Sequence, residues 1–322
     1  QDEEHAGTCI VESWTNYLTR EIIMSGVTAQ DGTLDSGPRI KLDSNFQIGN
    51  QAPAMVTLND ITFIGPDSGY YKRIYDTRST SNGANNMHCQ ISNCTFSGFP
   101  QNDVHNPYSI ETGSNFLGGD EIHTFEVINC IFSDCDSIVD SGQYNGAGKN
   151  AVSGSIINCT LYESSLHATI SHDESIISWN VTNCLFQGGS GRTGYTDSLI
   201  FSRWNDNTGT HSFSSIDNII SDASATHASA CTFISNLQDS VTFNDSGSPS
   251  TGQVSFTSAT AEDFSLVDDA NNIALGNSAA TSTPDTDILG VTRDTNRDAG
   301  AFEVIAASDI SIQLPRPIIK LY

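Results

Sequence analysis

Basic residues are scarce in this sequence, and their scarcity excludes one large class of ligand. The chain has 322 residues and carries 13 Lys and Arg against 38 Asp and Glu, which gives a formal net charge of −25. Because phosphate binding needs clustered cations, we expect no contact with bare nucleic acid. The same negative field repels acidic polysaccharides unless a bound cation lies between them and the protein.

Long apolar runs and catalytic signatures are also missing. No stretch is apolar over enough residues to cross a bilayer, so we expect no membrane partner. The histidines show no spacing typical of metal ligands, the glycines form no phosphate-binding loop, and there is no nucleophile motif. The sequence therefore predicts no metal site, although a calcium ion would be the best candidate if a cofactor were bound.

A short sequence motif recurs along the chain: an apolar residue, a spacer, Asn, Cys, a spacer and a large apolar residue. The four full copies are residues 91–96, 127–132, 156–161 and 181–186, and the two weaker copies are residues 58–63 and 216–221. Self-similarity at a period of a few tens of residues is typical of one structural unit stacked on itself.

Each interval between copies predicts three short β-strands. It holds three runs of alternating apolar side chains, separated by Gly, Ser, Asn and Asp. Three strands per period, stacked at about 4.8 Å, form the coils of a parallel β-helix. Residues 230–233 resemble the motif, but they follow Asn218 after too few residues for a full coil. We therefore place them in the middle strand of the next coil.

The repeated Asn and Cys each have a structural role. Asn tolerates the left-handed conformation of a sharp corner, and its amide can bond the Asn one coil away. The Cys that follows it is a small, soft core residue. The predicted ladder consists of Asp60, Asn93, Asn129, Asn158, Asn183 and Asn218, with Cys94, Cys130, Cys159 and Cys184 beside it.

The eight cysteines leave disulfide bonding open. Residues stacked one coil apart fall within the Cα separation of about 4.4–6.8 Å that a disulfide needs. Because four of the cysteines occupy one repeated core position, we predict that these four are free, buried thiols. Cys89 and Cys135 lie near this column and are the better pair if a bridge forms.

The end of the chain resembles a known family. Asp287-Ile288-Leu289-Gly290, Arg293 and the run from Asp298 to Glu303 follow Asp263-Phe264-Ser265-Leu266. These motifs are similar to the terminal coil of right-handed parallel β-helix repeat proteins of the pectate-lyase-like superfamily, although the family's Pro and Ile-Asp are missing after Ser278. The resemblance implies an all-β, right-handed parallel β-helix, and it covers residues 55–303. It does not specify the function, because this fold serves lyases, hydrolases, epimerases, adhesins and virion spikes.

Three segments follow from this interpretation. Residues 1–50 differ in residue pattern from the repeat and are predicted to form an N-terminal cap, with a short helix or a strand pair at residues 14–23. Residues 51–303 form the parallel β-helix, and residues 304–322 form an extended C-terminal arm. The arm's last part, from Ser311 to Tyr322, is apolar and contains two prolines. It either contacts a neighbouring subunit in a homo-oligomer or larger assembly, or folds back over the last coil.

One neighbourhood on the middle strands combines acid, imidazole and guanidinium groups. Enzymes of the family are expected to use stacked carboxylates that bind Ca²⁺ with an Arg or Lys base, or paired Asp residues. The candidate contacts for a glycan or a cation are Asp140, His172, Asp173, Glu174, Arg203 and Trp204. Charged residues at such turns are also ordinary solvated groups, and we assign none of them as catalytic.

Two function classes remain. The first is a non-catalytic structural or surface protein of a virus particle, extracellular in location, such as a capsid decoration or a tail fibre or spike that contacts host glycans. The second is a polysaccharide lyase or glycoside hydrolase of the pectate-lyase-like type.

Overall fold

The structure is a computed structural model. It describes residues 3–5, 10–11, 21–25, 39–42, 47–49, 55–65, 75–76, 87–99, 110–111, 122–135, 139–140, 151–164, 166–170, 176–187, 200–204, 210–216, 219–220, 231–234, 241–246, 254–258, 261, 263–276 and 284–304. Within these residues the protein contains β-strands and turns and no α-helix.

Three faces of parallel strands account for the first 24 strands. Sheet A contains β1 (Glu3–His5), β4 (Arg39–Leu42), β7 (Thr62–Ile64), β10 (Thr95–Phe99), β13 (Ile131–Cys135), β16 (Thr160–Tyr162), β19 (Leu185–Gln187) and β22 (Ile219–Ile220). The second face, sheet B, contains β2 (Ile10–Val11), β5 (Gln47–Gly49), β8 (Tyr75–Asp76), β11 (Ile110–Glu111), β14 (Val139–Asp140), β17 (Leu166–Ile170), β20 (Ile200–Trp204) and β23 (Cys231–Ile234). Sheet C contains β3 (Glu21–Ser25), β6 (Met55–Asn59), β9 (Met87–Ser92), β12 (Ile122–Ile128), β15 (Ala151–Ile157), β18 (Ile176–Thr182), β21 (Thr210–Ile216) and β24 (Val241–Ser246).

Successive strands of the chain belong to sheets A, B and C in strict rotation. In sheets A and C each strand pairs with the strand three places further on. Sheet B has the same order, but its pairing is interrupted between β14 and β17, which contact each other without forming a ladder. The result is a β-helix-like solenoid of eight coils, so the predicted all-β, three-strand coil is confirmed. Residues 231–234 lie in the middle strand of the last coil, as predicted.

Several strands lie within the N-terminal segment, residues 1–50. Strands β1 to β5 fall within residues 1–50, and β1, β2 and β3 pair in parallel with β4, β5 and β6. The described strands of this segment therefore stack on the coils that follow them. Of the segment in which we predicted a helix or a strand pair, residues 14–23, the first seven residues lie outside the described residues and the last three belong to β3.

The core of the solenoid is made of side chains stacked in register. Phe63, Phe96 and Phe132 occupy equivalent positions of sheet A, and their rings stack with centroids 5.2 and 4.8 Å apart. Leu161 and Phe186 continue this column. In sheet C the inward positions alternate with partly exposed ones, as in the buried–exposed pattern of β6. This pattern is the period of two that the sequence showed.

The residues after β24 leave the solenoid pattern. Strands β25 (Phe256–Ser258) and β26 (Asp263–Leu266) pair with each other in antiparallel orientation. Residues 284–304, which we call the C-terminal strap, pack against β13, β16 and β19 in the middle of sheet A. The ending that resembles a terminal coil therefore adds no strand to the three parallel faces among the described residues, and instead folds back along the side of earlier coils.

Candidate functional site

The residues predicted as glycan or cation contacts lie on sheet B where the structure describes them. Asp140 ends β14, and Arg203 and Trp204 end β20. Arg203 pairs with Thr169, and Trp204 pairs with Ile170 of the intervening strand β17. The structure thus brings the three residues to one face. His172, Asp173 and Glu174 lie outside the described residues, and the site remains a prediction.

An acidic column on the same face was not found from the sequence. The register pairs Asp76 with Glu111, and Glu111 with Asp140, on three successive coils. Carboxylates at such spacing are the kind of group that binds Ca²⁺ in proteins. The column was missed because the loops between these strands differ in length, so the register appears only when the strands are paired. Among the residues whose side chains are described, no cluster of His, Cys, Asp or Glu is suited to hold a metal ion.

The predicted ladder forms the corner between sheets C and A. Asp60, Asn93, Asn129, Asn158 and Asn183 each have a φ between 52° and 56°, the left-handed conformation expected there. The backbone N–H groups of the first four continue the interstrand pairing through the corner; for example, Asn93 N–H donates to the Ile128 carbonyl at 3.1 Å. These five residues occupy the corner with the same backbone conformation, and Asn218 lies outside the described residues.

The amide contacts of the ladder are not continuous. Asn183 Nδ2 donates to Asn158 Oδ1 at 2.8 Å, and Asn129 Nδ2 donates to Asn93 Oδ1 at 3.3 Å. No amide contact joins Asn129 to Asn158 among the described hydrogen bonds, and the guanidinium Nη2 of Arg293, from the strap, lies 3.5 Å from Asn129 Oδ1. Asn158 Nδ2 is buried without a hydrogen-bond partner, which is consistent with an interrupted ladder at this point.

The cysteines of the repeat do more than fill the core. The thiols of Cys94, Cys130, Cys159 and Cys184 are free and fully buried, as predicted. Each donates to the carbonyl two residues earlier, as Cys130 does to Ile128 at 3.2 Å. Three of them also contact a carbonyl of the preceding coil, so the thiol column ties successive corners together. Burial raises the pKa of the Cys130 and Cys184 thiols.

A second corner follows the sheet A strands and has the same chemistry. Gly98, Asp134 and Glu163 have positive φ at equivalent positions. Cys135 and Ser164 come next, and each donates to the carbonyl two residues earlier. Cys89 and Cys135 are both free thiols, in strands of different sheets. The suggested disulfide between them is therefore not formed.

The C-terminal strap binds the ladder corner through its own backbone. Asn129 Nδ2 donates to the Thr286 carbonyl at 2.9 Å, and Asn183 Nδ2 donates to the Asp298 carbonyl at 3.1 Å. In the reverse direction, Gly300 N–H donates to the Asn183 carbonyl at 2.9 Å. The outward residues Ile131 and Leu185 join Ile288, Ala301 and Phe302 in a second apolar core.

A buried charged cluster holds the strap in shape. Arg293, with a fully buried side chain, pairs with Glu303 at 3.3 Å and donates to the carbonyls of Asp298, Gly300 and Phe302. Asp287 and Asp298 accept backbone N–H groups of the strap and its neighbour Gly276. Burial raises the pKa of Asp298 to about 6, and it also raises the pKa of Asp287 and Glu303.

The motif from Asp287 to Glu303 thus specifies a folded-back segment. Its charged residues bind backbone groups and each other, and they are not arranged around an open cleft. A signal for its binding surface exists in the repeat itself. The outward spacer after Asn-Cys is Thr95 or Thr160 in two copies, but Ile131 and Leu185 in the other two. Apolar residues at an outward position indicate that another segment covers them.

Comparison with known proteins gives no relative. No family model, no curated protein and no solved structure matches this chain. Among the described residues, no helix is long and apolar enough to cross a membrane.

Proposed function

We propose that this chain is a non-catalytic structural protein on the surface of a virus particle, as a capsid decoration or as part of a tail fibre or spike. The observation that carries the proposal is the way the solenoid is tied together. Its corners are joined by amides and thiols, and its side is covered by a strap anchored with a buried ion pair. A protein exposed outside the cell needs this kind of rigidity.

The rigidity has a physical basis in the corners. In most folds the turns between strands break the hydrogen-bonded ladder and open first. Here Ile131 N–H donates to the Cys94 carbonyl and Asn129 N–H donates to the Ile157 carbonyl, both at 3.0 Å, so the ladder continues around the corner. Few backbone groups at this corner are left for a protease or for water.

The finer features of the fold belong to the same proposal. We infer a right-handed coil, because crossovers between parallel strands of one sheet are right-handed in almost all proteins. The arm beyond Val304, and above all its apolar stretch from Ser311 to Tyr322, joins the protein to further copies of itself or to the particle. The role requires no cofactor, nucleic acid or membrane.

The particle can be examined directly. Virions purified through two density gradients should contain this chain at a fixed copy number, measured by quantitative mass spectrometry against a known capsid protein. A chain that ends at Val304 should fold with unchanged thermal stability but fail to join the particle. Absence from purified virions, or normal assembly of the shortened chain, would contradict the proposal.

A polysaccharide lyase or hydrolase is the second candidate, favoured by one observation. The acidic column Asp76–Glu111–Asp140 lies on the same face as Arg203. If the chain is an enzyme, it depolymerises a glycan, and Asp140→Ala or Arg203→Ala abolishes that activity while the folded state persists. Product formation from a panel of acidic and neutral polysaccharides, measured at reducing ends and by unsaturated products, decides between the two classes.

A further inference from the structure

The outer face of sheet C is a regular array of polar residues. Strands β6 to β24 pair in register without a bulge, so the register positions that face outward in β6 to β18 form columns that continue through β21 and β24. Because neighbouring strands lie about 4.8 Å apart, each column repeats its side chains at that spacing. Three columns run through these strands: Met55, His88, Thr124, Ser153, Ser178, Ser212 and Thr242; Thr57, Gln90, Glu126, Ser155, Asn180, Ser214 and Asn244; and Asn59, Ser92, Ile128, Ile157, Thr182, Ile216 and Ser246.

This face is open to solvent. From β6 to β18, none of the column residues whose side chains are described is buried, and Ser153, Ser178 and Asn180 are exposed. The outer face of sheet A is the opposite case, because Thr160 and Leu185 are covered by the strap and are at most 1% exposed. The same solenoid therefore presents one covered and one open face.

The open face is almost uncharged. Glu126 is the only acidic residue in the three columns, and they contain no Lys or Arg. The chain as a whole has a net charge of −25, so a large share of its surface repels anions. A face of hydroxyl and amide groups in such a chain suits a ligand that is polar and neutral.

Neighbouring side chains along the columns already hold each other in place. His88 Nδ1 lies 2.7 Å from Thr124 Oγ1, and Gln90 Nε2 donates to Glu126 Oε2 at 3.4 Å. Ser92 Oγ donates to Asn59 Oδ1 at 2.8 Å. Side chains that are ordered before binding lose less conformational entropy when a ligand arrives.

We propose that the outer face of sheet C binds a linear neutral polysaccharide that runs along the axis of the solenoid. Because neighbouring strands lie about 4.8 Å apart, a sugar chain that runs along the axis meets hydroxyl and amide groups again on each coil. This face is distinct from the predicted contacts on sheet B, and the binding does not depend on whether the protein belongs to a particle.

The test uses the full chain, produced in bacteria so that the glycosylation sequence Asn180-Val181-Thr182 stays unmodified. Binding is measured by isothermal titration calorimetry with neutral linear hexasaccharides of β-1,4-glucose, β-1,4-N-acetylglucosamine, α-1,4-glucose and β-1,4-mannose. The double variant Ser153→Glu, Ser178→Glu places two carboxylates in one column. Thr257→Glu is the matched control, since it adds a carboxylate at an exposed strand position outside sheet C. Thermal unfolding confirms that each variant is folded.

We expect at least one neutral hexasaccharide to bind the unaltered chain, and we expect the double variant to weaken that binding by at least about tenfold, or 1.4 kcal/mol. Thr257→Glu should leave it unchanged. Three results would overturn the proposal: no binding of any of the four sugars, equal binding by the double variant, or loss of binding with Asp140→Ala on sheet B. Conversion of an oligomer to a monomer by the double variant, without any sugar binding, would instead identify the face as an interface between copies.

Discussion

The outer faces of sheets A and C show how one repeat produces two different surfaces. Both faces are built from strands of the same coils, yet Ile131 and Leu185 of sheet A are fully buried while Ser153 and Ser178 of sheet C are exposed. Among the described residues, the C-terminal strap packs against the middle of sheet A and leaves the outer face of sheet C uncovered. A segment outside the repeat therefore turns one face of the solenoid into a second core, while the described residues of the other face stay open to solvent.

The largest effect should come from the buried ion pair of the strap. Arg293→Met leaves Glu303 buried without its cation, and we expect a loss of about 3–5 kcal/mol in the free energy of unfolding. Chemical denaturation measures the loss. The double variant Arg293→Met, Glu303→Gln removes both charges and should recover part of the stability. If the single variant is as stable as the parent protein, the strap is not held as described.

A pair of glycine substitutions separates contact from backbone strain. Gly300 has a φ of +93°, and a Cβ there would lie 2.6 Å from Thr160 Oγ1, whereas Gly290 has a φ of +77° with open space around it. We expect Gly300→Ala to cost about 2–4 kcal/mol and Gly290→Ala about 1–2 kcal/mol, because only the first adds a steric overlap to the strain. Equal losses in thermal or chemical denaturation would mean that the strap does not contact β16.

Two ladder residues allow a coil that bonds the strap to be compared with one whose described ladder contacts lie within the coils. Glycine retains the left-handed φ, so Asn→Gly removes the amide alone. Asn129 bonds the strap at Thr286 and Arg293, while the described contacts of the Asn93 side chain lie within the coils. Asn129→Gly should therefore cost about 1–3 kcal/mol, and Asn93→Gly about 1 kcal/mol, in chemical denaturation. The reverse order would contradict the assigned position of the strap.

The strap should also be more stable in mild acid. Burial raises the pKa of Asp298 to about 6 from its ordinary value of 3.8, so the folded state binds this proton more tightly than the unfolded state. The contribution of Asp298 to the free energy of unfolding then increases as pH falls from above 6 toward 4, and it is lost as pH rises through 6. Asp287 and Glu303, with raised pKa values, act in the same direction.

Asp298→Asn isolates this contribution from the general effect of net charge. The difference in melting temperature between pH 5 and pH 7.5 should be smaller in Asp298→Asn than in the parent protein. Asp268→Asn removes one carboxylate from an exposed position and should retain the parent's difference. A larger pH difference in Asp298→Asn would mean that the sign is wrong.

The smallest effect is expected on the open face. Ser178→Ala changes an exposed side chain of sheet C and should alter the free energy of unfolding by no more than about 0.5 kcal/mol. Thr160→Ala, on the covered face, removes the acceptor of the Ala301 N–H and a buried methyl group, and should cost about 1–3 kcal/mol. Similar losses at the two positions in chemical denaturation would remove the distinction between the faces.

The coils could be predicted from the sequence because their signal is repeated. The Asn-Cys motif places one left-handed residue and one thiol in each coil, and the positive φ is found at Asn93, Asn129, Asn158 and Asn183. The strap could not be predicted in the same way. Its hydrogen bonds to the ladder corner use backbone atoms, such as the carbonyls of Thr286 and Asp298, which leave no pattern in the side chains. The outward apolar residues Ile131 and Leu185 indicate the covered surface but do not identify the segment that covers it.

Two other features can be recognised only when the register of the paired strands is known. The alignment of Asp76, Glu111 and Asp140 depends on the number of residues in each loop, which differs from coil to coil. The polar columns of sheet C are invisible along the sequence because their members are separated by a whole coil. In the sequence they appear only as ordinary Ser and Thr residues in the strands.

Amide hydrogen exchange at the ladder corner tests the central claim most directly. The N–H groups of Asn93, Asn129 and Asn158 each donate to a carbonyl of the next coil at 3.0–3.1 Å, although the residues occupy a turn. We predict that these three amides exchange as slowly as those of β12 and β15 when followed by NMR at pH 7. Exchange at the rate of an exposed turn would show that the corners are not stacked one above another.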